Sequence, residues 1–428
     1  MTTFAIATLG CKVNTYESQG YESALLDKGY EEVSFKDKAD IYIINTCAVT
    51  NTAGAKSRQK IHQAHAANPN AIIAVVGCYV QTSKDAMEAM EHVDIIVGSD
   101  GKSQLADMIE HALIHRDKQI MLHDVRQVKA FEALPIHKFE HQTRAFLKIQ
   151  DGCNQFCSYC IIPYARGAER SLKEEEALRV ATDLVKNGHL EIVLSGIHTG
   201  RYGRDIHTNL LHLMKRMVNE IDGLKRIRIS SIEMNELSDE LLMYMKEEPK
   251  IARHLHIPIQ TANNTVLKNM NRPYDVEWFK QRVAYIRSLM PDISISTDVI
   301  TGFPQESEEE FADTMKNIKE INFSFLHVFP FSKRDNTVAA KMSGHIENKV
   351  KKERAGKLIE ISKELYDNYK ERFIGKEVDV LLEKMEDGYL FGHTSEYLPV
   401  YVKGNPEDLH KMKKVVIQTF ENDKLYAV

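Results

Sequence analysis

The residues best placed for chemistry in this 428-residue chain are its six cysteines. Cys153-Asn154-Gln155-Phe156-Cys157-Ser158-Tyr159-Cys160 is a CxxxCxxC loop. Three thiolates on so short a loop can hold three corners of a cubane iron–sulfur cluster; with no fourth protein ligand, one iron stays open to an exogenous ligand. Structural zinc usually closes with four protein ligands, which makes zinc the weaker reading. Cysteines spaced by chance are weaker still, given the clustering. Cys11, Cys47 and Cys78 make a second, dispersed triplet, each member more than thirty residues from the next. No cysteine is left over, and in a reducing compartment such residues do not form structural disulfides.

The elements around the second triplet explain how distant residues could meet. Phe4–Gly10, Ile41–Thr46 and Ala71–Gly77 read as buried strands, each followed by a helix, the first two helices over 16–28 and 52–67. Strand–helix alternation of this length predicts right-handed crossovers and a parallel sheet. Each cysteine then falls at the carboxyl end of a strand, the edge where open α/β sheets bind ligands, and just before a helix N-terminus that favours a thiolate. Residues 1–115 are expected to form this domain and 116–143, polar and irregular, a linker. Alternation resumes over 144–370 with six strand candidates (144–150, 191–196, 226–233, 253–259, 293–299 and 323–329), which suggests a partial (β/α)6 barrel. A lysine-rich helix is predicted over 341–372, with Lys349, Lys351, Lys352, Arg354 and Lys357. Short strands at Glu377–Glu383, Gly388–Gly392, Leu398–Val402 and Lys414–Thr419 then predict a small β-barrel over 371–428. The fold class is therefore α/β with an appended β-barrel.

The CxxxCxxC loop after the first barrel strand resembles the radical S-adenosylmethionine superfamily. There the open iron binds the methionine moiety of S-adenosyl-L-methionine, and electron transfer yields a 5′-deoxyadenosyl radical. Such chemistry is delegated to a cofactor because no side-chain acid or base reaches an unactivated C–H bond. Leu9-Gly10-Cys11-Lys12-Val13-Asn14, Asn45-Thr46-Cys47-Ala48-Val49-Thr50, Val76-Gly77-Cys78-Tyr79 and the run from Gln150 to Gly167 are more narrowly similar to the methylthiotransferases. That similarity covers nearly the whole chain, including a terminal TRAM-like barrel. It implies that Cys11, Cys47 and Cys78 hold an auxiliary [4Fe-4S] cluster carrying the transferred sulfur, and that Cys153, Cys157 and Cys160 hold the radical-generating one. Lys12-Val13-Asn14 and Leu194-Ser195-Gly196-Ile197-His198 are most similar to the branch that converts N6-threonylcarbamoyladenosine, next to the tRNA anticodon, to its 2-methylthio derivative. Isopentenyladenosine and a ribosomal protein side chain are the alternative substrates. An iron–sulfur electron carrier or RNA-binding protein is the non-enzymatic alternative.

By the same resemblance Ser195 and Gly196 bind the methionyl group, and Ser231, Glu233, Gln260 and Asp298 are further candidates for the cofactor. An ordinary turn competes for Ser195, a salt bridge for Glu233, and a neighbouring Arg for Asp298. Arg166-Gly167 could bind cofactor or RNA, or simply shape the loop. The chain departs from the family at Thr261-Ala262-Asn263, at Ser171-Leu172, and at Gln305, which stands where a glycine commonly follows the proline. Ser171 with Glu174 and Ser307 with Glu310 read as capping boxes.

The net charge of −5 does not advertise a nucleic-acid binder. Residues 371–428 carry eight basic against eleven acidic side chains, so an RNA contact needs local basic surface. Lys403, Lys411, Lys413, Lys414 and the 341–372 helix are the candidates for contacting a tRNA anticodon stem-loop. A separate reducing electron donor is also implied. With no apolar run of about 18 residues and no signal-peptide pattern, the expectation is a cytoplasmic monomer without a membrane partner.

Overall fold

The computed structural model describes residues 1–139 and 142–428. Strands β1 (Thr3–Thr8), β2 (Glu31–Glu32), β3 (Ile41–Thr46), β4 (Ile72–Gly77), β5 (Ile95–Val97) and β6 (Gln119–Met121) form one parallel sheet in the order β2-β1-β3-β4-β5-β6. Every residue of β3 and β4 is buried, as near-continuous apolar strands require when both sheet faces are covered. Helices α1 (Lys12–Asp27), α2 (Asn51–Ala67) and α3 (Cys78–Thr82) follow β1, β3 and β4. The three strands expected from the sequence are thus adjacent in the sheet. The other three are only two or three residues long and carry no readable periodicity.

The segment over 116–143, expected as a linker, is partly structured. It supplies β6, and beyond that strand it staples two cores together. Leu134 packs into the core of the first sheet, while Ile136 and Phe139 belong to the core of the central domain. Each buried side chain of this size contributes about 1.5–3 kcal/mol. Residues 140 and 141 of that segment lie outside the described residues.

The central domain holds the six expected strands as β7 (Ala145–Asp151), β9 (Glu191–Gly196), β10 (Arg226–Ile229), β11 (His254–His256), β12 (Ser294–Thr301) and β13 (Phe325–Pro330). A short β8 (Arg170–Ser171) pairs antiparallel with β7. The strands form two sheets, β10-β9-β7-β8 and β11-β12-β13. Backbone bonds cross the seam: Ile227 N–H to Lys250 C=O at 2.8 Å and Ile232 N–H to His256 C=O at 3.0 Å. Ser307 and Glu310 form the expected capping box. Ser171 does not cap: it lies in β8 and accepts from Gly203 N–H, and the next helix begins after Lys173.

The predicted 341–372 helix is two helices, Val338–Lys341 and Asn348–Glu371. Two of its five expected surface cations face inward. Lys351 donates to the Phe331 carbonyl, and Arg354 pairs with Glu306 at 2.7 Å and Glu308 at 2.6 Å. Strands β14 (Glu377–Glu386), β15 (Tyr389–Thr394), β16 (Pro399–Val402), β17 (Met412–Glu421) and β18 (Lys424–Ala427) close a barrel in the order β14-β15-β16-β18-β17; β18 had no sequence counterpart. Lys411 and Lys413 share Asp408, and Lys414 faces Glu377, so of the four lysines expected as basic surface here, three are already paired. No helix among the described residues is long and apolar enough to cross a membrane.

The small barrel docks on the amino-terminal ends of the central strands. Arg226 donates to the Asp379 and His393 carbonyls, and Arg228 to those of Thr394 and Ser395. Buried Glu191 accepts from both guanidiniums, at 3.0 and 2.7 Å. Burial alone would raise its pKa, but Arg228 and Arg226 hold it at about 2, below the ordinary 4.5. Its stabilisation is complete above the ordinary value and is lost as pH falls toward 2. A shift of this size corresponds to about 3 kcal/mol. Melting curves from pH 7 to pH 3 should therefore show the wild type losing stability that Glu191→Gln, already weakened at pH 7, does not lose. Parallel pH profiles would remove Glu191 from the dock.

Candidate functional site

The carboxyl ends of β1, β3 and β4 bring Cys11, Cys47 and Cys78 to one edge. Cys11 caps α1, Cys78 opens α3, and Cys47 stands three residues before the Thr50 cap of α2. Polar side chains knit the three strand ends together. Asn14 Nδ2 donates to the carbonyls of Leu9 (2.6 Å) and Thr46 (3.0 Å), and Thr46 Oγ1 donates to that of Val76 at 2.6 Å. Gly10 and Gly77 precede Cys11 and Cys78 with φ of +107° and +102°. A Cβ on Gly10 would lie 2.9 Å from Cys47 Sγ, and one on Gly77 would lie 2.9 Å from the Thr46 carbonyl oxygen. Only glycine permits this approach.

The second triplet lies between β7 and the short helix Ile162–Arg166. The loop closes on itself through Cys153 N–H to Gly167 C=O at 3.0 Å and Cys160 N–H to Cys157 C=O at 2.9 Å. Cys153 Sγ meets His198 Nδ1 at 3.3 Å, and Arg272 donates to Cys157 Sγ at 3.4 Å. Gly152 has φ +74°, and a Cβ there would fall 1.9 Å from the Ala168 carbonyl oxygen. Gly152→Ala is therefore expected to cut iron uptake by this loop severalfold. Iron and sulfide analysis in a Cys11/Cys47/Cys78→Ala background reads the loop alone; undiminished iron would show that the loop can shift.

The two triplets share an interface. Cys78 packs with Ala48, Ile161 and Ala165. Arg166, fully buried, donates from Nε to Cys78 Sγ at 3.1 Å, from Nη1 to Glu17 at 2.8 Å and Asp151 at 3.2 Å, and from Nη2 to Asn14 at 3.2 Å. Lys102 and Lys148 also pair with Glu17, and Lys148 and Arg170 with Asp151. Glu17 would be raised by burial, yet Arg166, Lys102 and Lys148 hold it well below the carboxylate range. Four buried cations thus face two buried carboxylates, and an excess of buried positive charge demands an anionic partner. A thiolate-ligated iron–sulfur cluster at Cys11, Cys47 and Cys78 fits that demand. Burial raises the Cys47 thiol to about 11 and that of Cys160 to about 12, so a metal cation is what would draw off the proton.

The other candidates are held as follows. The Ser195 hydroxyl bonds within its own strand to Val193 C=O at 3.4 Å, and Gly196 pairs with Gln150 of β7. Ser231 and Glu233 lie beyond the end of β10, which stops at Ile229 rather than 233. Glu233 pairs with Arg272, the same guanidinium that touches Cys157. Gln260 sits at φ +69°, its N–H on Asp298 C=O and its C=O accepting from Ile300. Asp298 is in mid-strand and faces His256 at 3.2 Å, not the Arg suggested by its sequence context. Arg272 and Glu17 had no sequence signal, because the partners that give them meaning, Cys157 for the one and Arg166 and Lys148 for the other, lie more than a hundred residues away.

Residues 3–98 match the model of the Uncharacterized protein family UPF0004, and residues 147–318 that of the Radical SAM superfamily. The Bacillus subtilis threonylcarbamoyladenosine tRNA methylthiotransferase MtaB is 42% identical over 97% of this chain and 94% of its own. The Aquifex aeolicus MtaB is 37% identical over 96% and 99%. A Clostridium novyi tRNA-2-methylthio-N(6)-dimethylallyladenosine synthase is 36% identical over 97% and 93%. Among solved structures, the radical S-adenosylmethionine methyltransferase TsrM from Kitasatospora setae shares the fold, with a TM-score of 0.57 at 12% identity over 79% of this chain and 77% of that one. Two cysteine triplets linked through Arg166 and the packing of Cys78 on Ile161 and Ala165, in a chain 36–42% identical to these tRNA enzymes over 96–97% of its length, place it in the radical S-adenosylmethionine tRNA methylthiotransferase family.

Proposed function

We propose that this chain is the enzyme that converts N6-threonylcarbamoyladenosine in tRNA to its 2-methylthio derivative. The observation that carries this reading is the bond from Arg166, which follows the CxxxCxxC loop, to Cys78 of the other triplet, in a chain that aligns over 96–97% of its length with enzymes named for that nucleoside. Cys153, Cys157 and Cys160 would hold one [4Fe-4S] cluster, with S-adenosyl-L-methionine at its open iron, and Cys11, Cys47 and Cys78 would hold the other. Together these cofactors supply a radical able to attack an unactivated C–H bond, and a sulfur to replace the hydrogen. The chain's own part is positional. Arg272 and His198 orient the loop thiols, Arg166 fixes the auxiliary edge, and exposed Cys11 leaves that edge open to a substrate base. Ser195, Gly196, Ser231, Glu233, Gln260 and Asp298 remain the proposed cofactor contacts. The anticodon stem-loop, a reducing electron donor and a cytoplasmic setting belong to the same reading.

Nucleoside analysis of tRNA from a deletion strain, with and without complementation, tests it. The 2-methylthio form of threonylcarbamoyladenosine should vanish and return. Its persistence, with loss of the isopentenyl counterpart instead, would assign the alternative substrate.

A further inference from the structure

One cation beside the auxiliary triplet has no partner among the described residues. Lys12 follows Cys11 and opens α1, which packs against β7. Its half-buried ammonium lies among groups from four other elements: Arg144 just before β7, Glu191 of β9, Arg228 of β10, and Tyr397 of the small barrel. It makes no hydrogen bond or ion pair with any described residue. The carboxylates nearby are committed elsewhere: Glu191 to Arg226 and Arg228, Glu383 to Arg144 and His393, and Asp298 to His256. Glu396 faces Arg226, Arg228 and Arg253.

The groups around Lys12 are aromatic and cationic. The guanidiniums of Arg144 and Arg228 sit 5.1 and 4.9 Å from the Tyr397 ring centre, His393 stacks on that ring at 4.8 Å, and His254 lies 5.0 Å from it. His254 is 5% exposed, and its Nδ1 is buried with no hydrogen-bond partner among the described residues. Burial would raise the Tyr397 phenol, yet Arg144, Lys12 and Arg228 pull it below its ordinary 10. Arg144 and Arg228 are paired with Glu383 and Glu191, so the Lys12 ammonium is the charge left over among the described residues, and such a cation selects an anionic group. On the edge strand β13, His327 is exposed and packs edge-on against Phe325 at 4.9 Å.

We infer that Lys12, backed by Arg144 and Arg228, is the subsite for the free carboxylate of the substrate's threonylcarbamoyl group. This rests on the reading of the substrate given above. An adenine whose C2 lies at the Cys11 edge would extend its N6 substituent along the Lys12 side chain. The carboxylate then gains a charge-assisted bond, while a neutral isopentenyl group would leave the ammonium without a partner.

The test is binding of the reconstituted holoenzyme to two synthetic anticodon stem-loops. One carries threonylcarbamoyladenosine; in the other the threonine carboxylate is a neutral amide. The wild type should prefer the carboxylate by about 10- to 100-fold. Lys12→Gln should bind both loops alike, with iron content per chain unchanged. Lys12→Arg, which keeps the charge beside Cys11, should retain the preference. A preference undiminished in Lys12→Gln, or absent from the wild type, would overturn the subsite while leaving the nucleoside assignment standing. Loss of that assignment in the deletion strain would remove the substrate itself, whatever the loops show.

Discussion

Replacing Cys11, Cys47 and Cys78 together with alanine is expected to halve the iron of the anaerobically reconstituted protein, from about eight atoms per chain to about four. The variant should still form 5′-deoxyadenosine from S-adenosyl-L-methionine under reducing conditions, and it should make no methylthio product. The converse variant, Cys153, Cys157 and Cys160 to alanine, should also keep about half the iron but form neither deoxyadenosine nor product. The contrast follows from the geometry. Each triplet is built by its own elements: one by three sheet strands joined through Asn14 and Thr46, the other by one loop closed on Gly167. Neither depends on the other's thiols for its backbone path. Removing three sulfurs also costs the fold little. Cys11 is exposed, the others are small, and loss of a buried methyl-sized group costs about 1 kcal/mol. After loss of the Cys78 thiol, Arg166 still has Glu17, Asp151 and Asn14 as acceptors. Iron that does not fall in the first variant, or zinc in the wild type, would defeat the two-cluster assignment.

The sequence shows the first triplet's edge clearly because IYIINT and IIAVVG are long apolar runs ending in a polar residue or glycine beside a cysteine. Strands that need both faces buried advertise themselves in this way. What it hides is of two kinds. β2, β5 and β6 are too short for any period, and the 123–139 segment buries Val125, Leu134, Ile136 and Phe139 at irregular spacing, so an interdomain staple reads as a polar connection. The second kind is electrostatic. Arg166, Arg272 and Lys12 are single basic residues: Arg166 meets Glu17 and Asn14 149 and 152 residues away, Arg272 meets Cys157 115 residues away, and Lys12 pairs with none of the described residues. Gln305 shows the reverse case. Its departure from the family glycine is visible in sequence, and the structure supplies the consequence: a left-handed φ of +68°, with its N–H on the Gly344 carbonyl at 2.9 Å.

Arg166→Gln is expected to destabilise the protein by about 3–5 kcal/mol, because it strips a fully buried guanidinium from two buried carboxylates. Arg166→Lys separates charge from geometry. A lysine ammonium is a compact point donor without the planar fork, so it can serve Glu17 or Asp151 but not Asn14 and Cys78 as well. The Lys variant should therefore recover much of the stability in denaturant titrations and still alter the auxiliary site. Hydrogen bonds to cluster sulfurs raise reduction potential by stabilising the more negative, reduced state. Loss of the Nε bond to Cys78 should then lower the auxiliary potential, read by spectroelectrochemistry in the Cys153/Cys157/Cys160→Ala background where that cluster stands alone. A salt-bridge strut would give the stability loss without the change in potential. An unchanged potential in Arg166→Lys, alongside full iron occupancy, would reduce Arg166 to that strut. A lowered potential with near-native stability would make it the residue through which the radical-generating loop sets the chemistry of the neighbouring cluster.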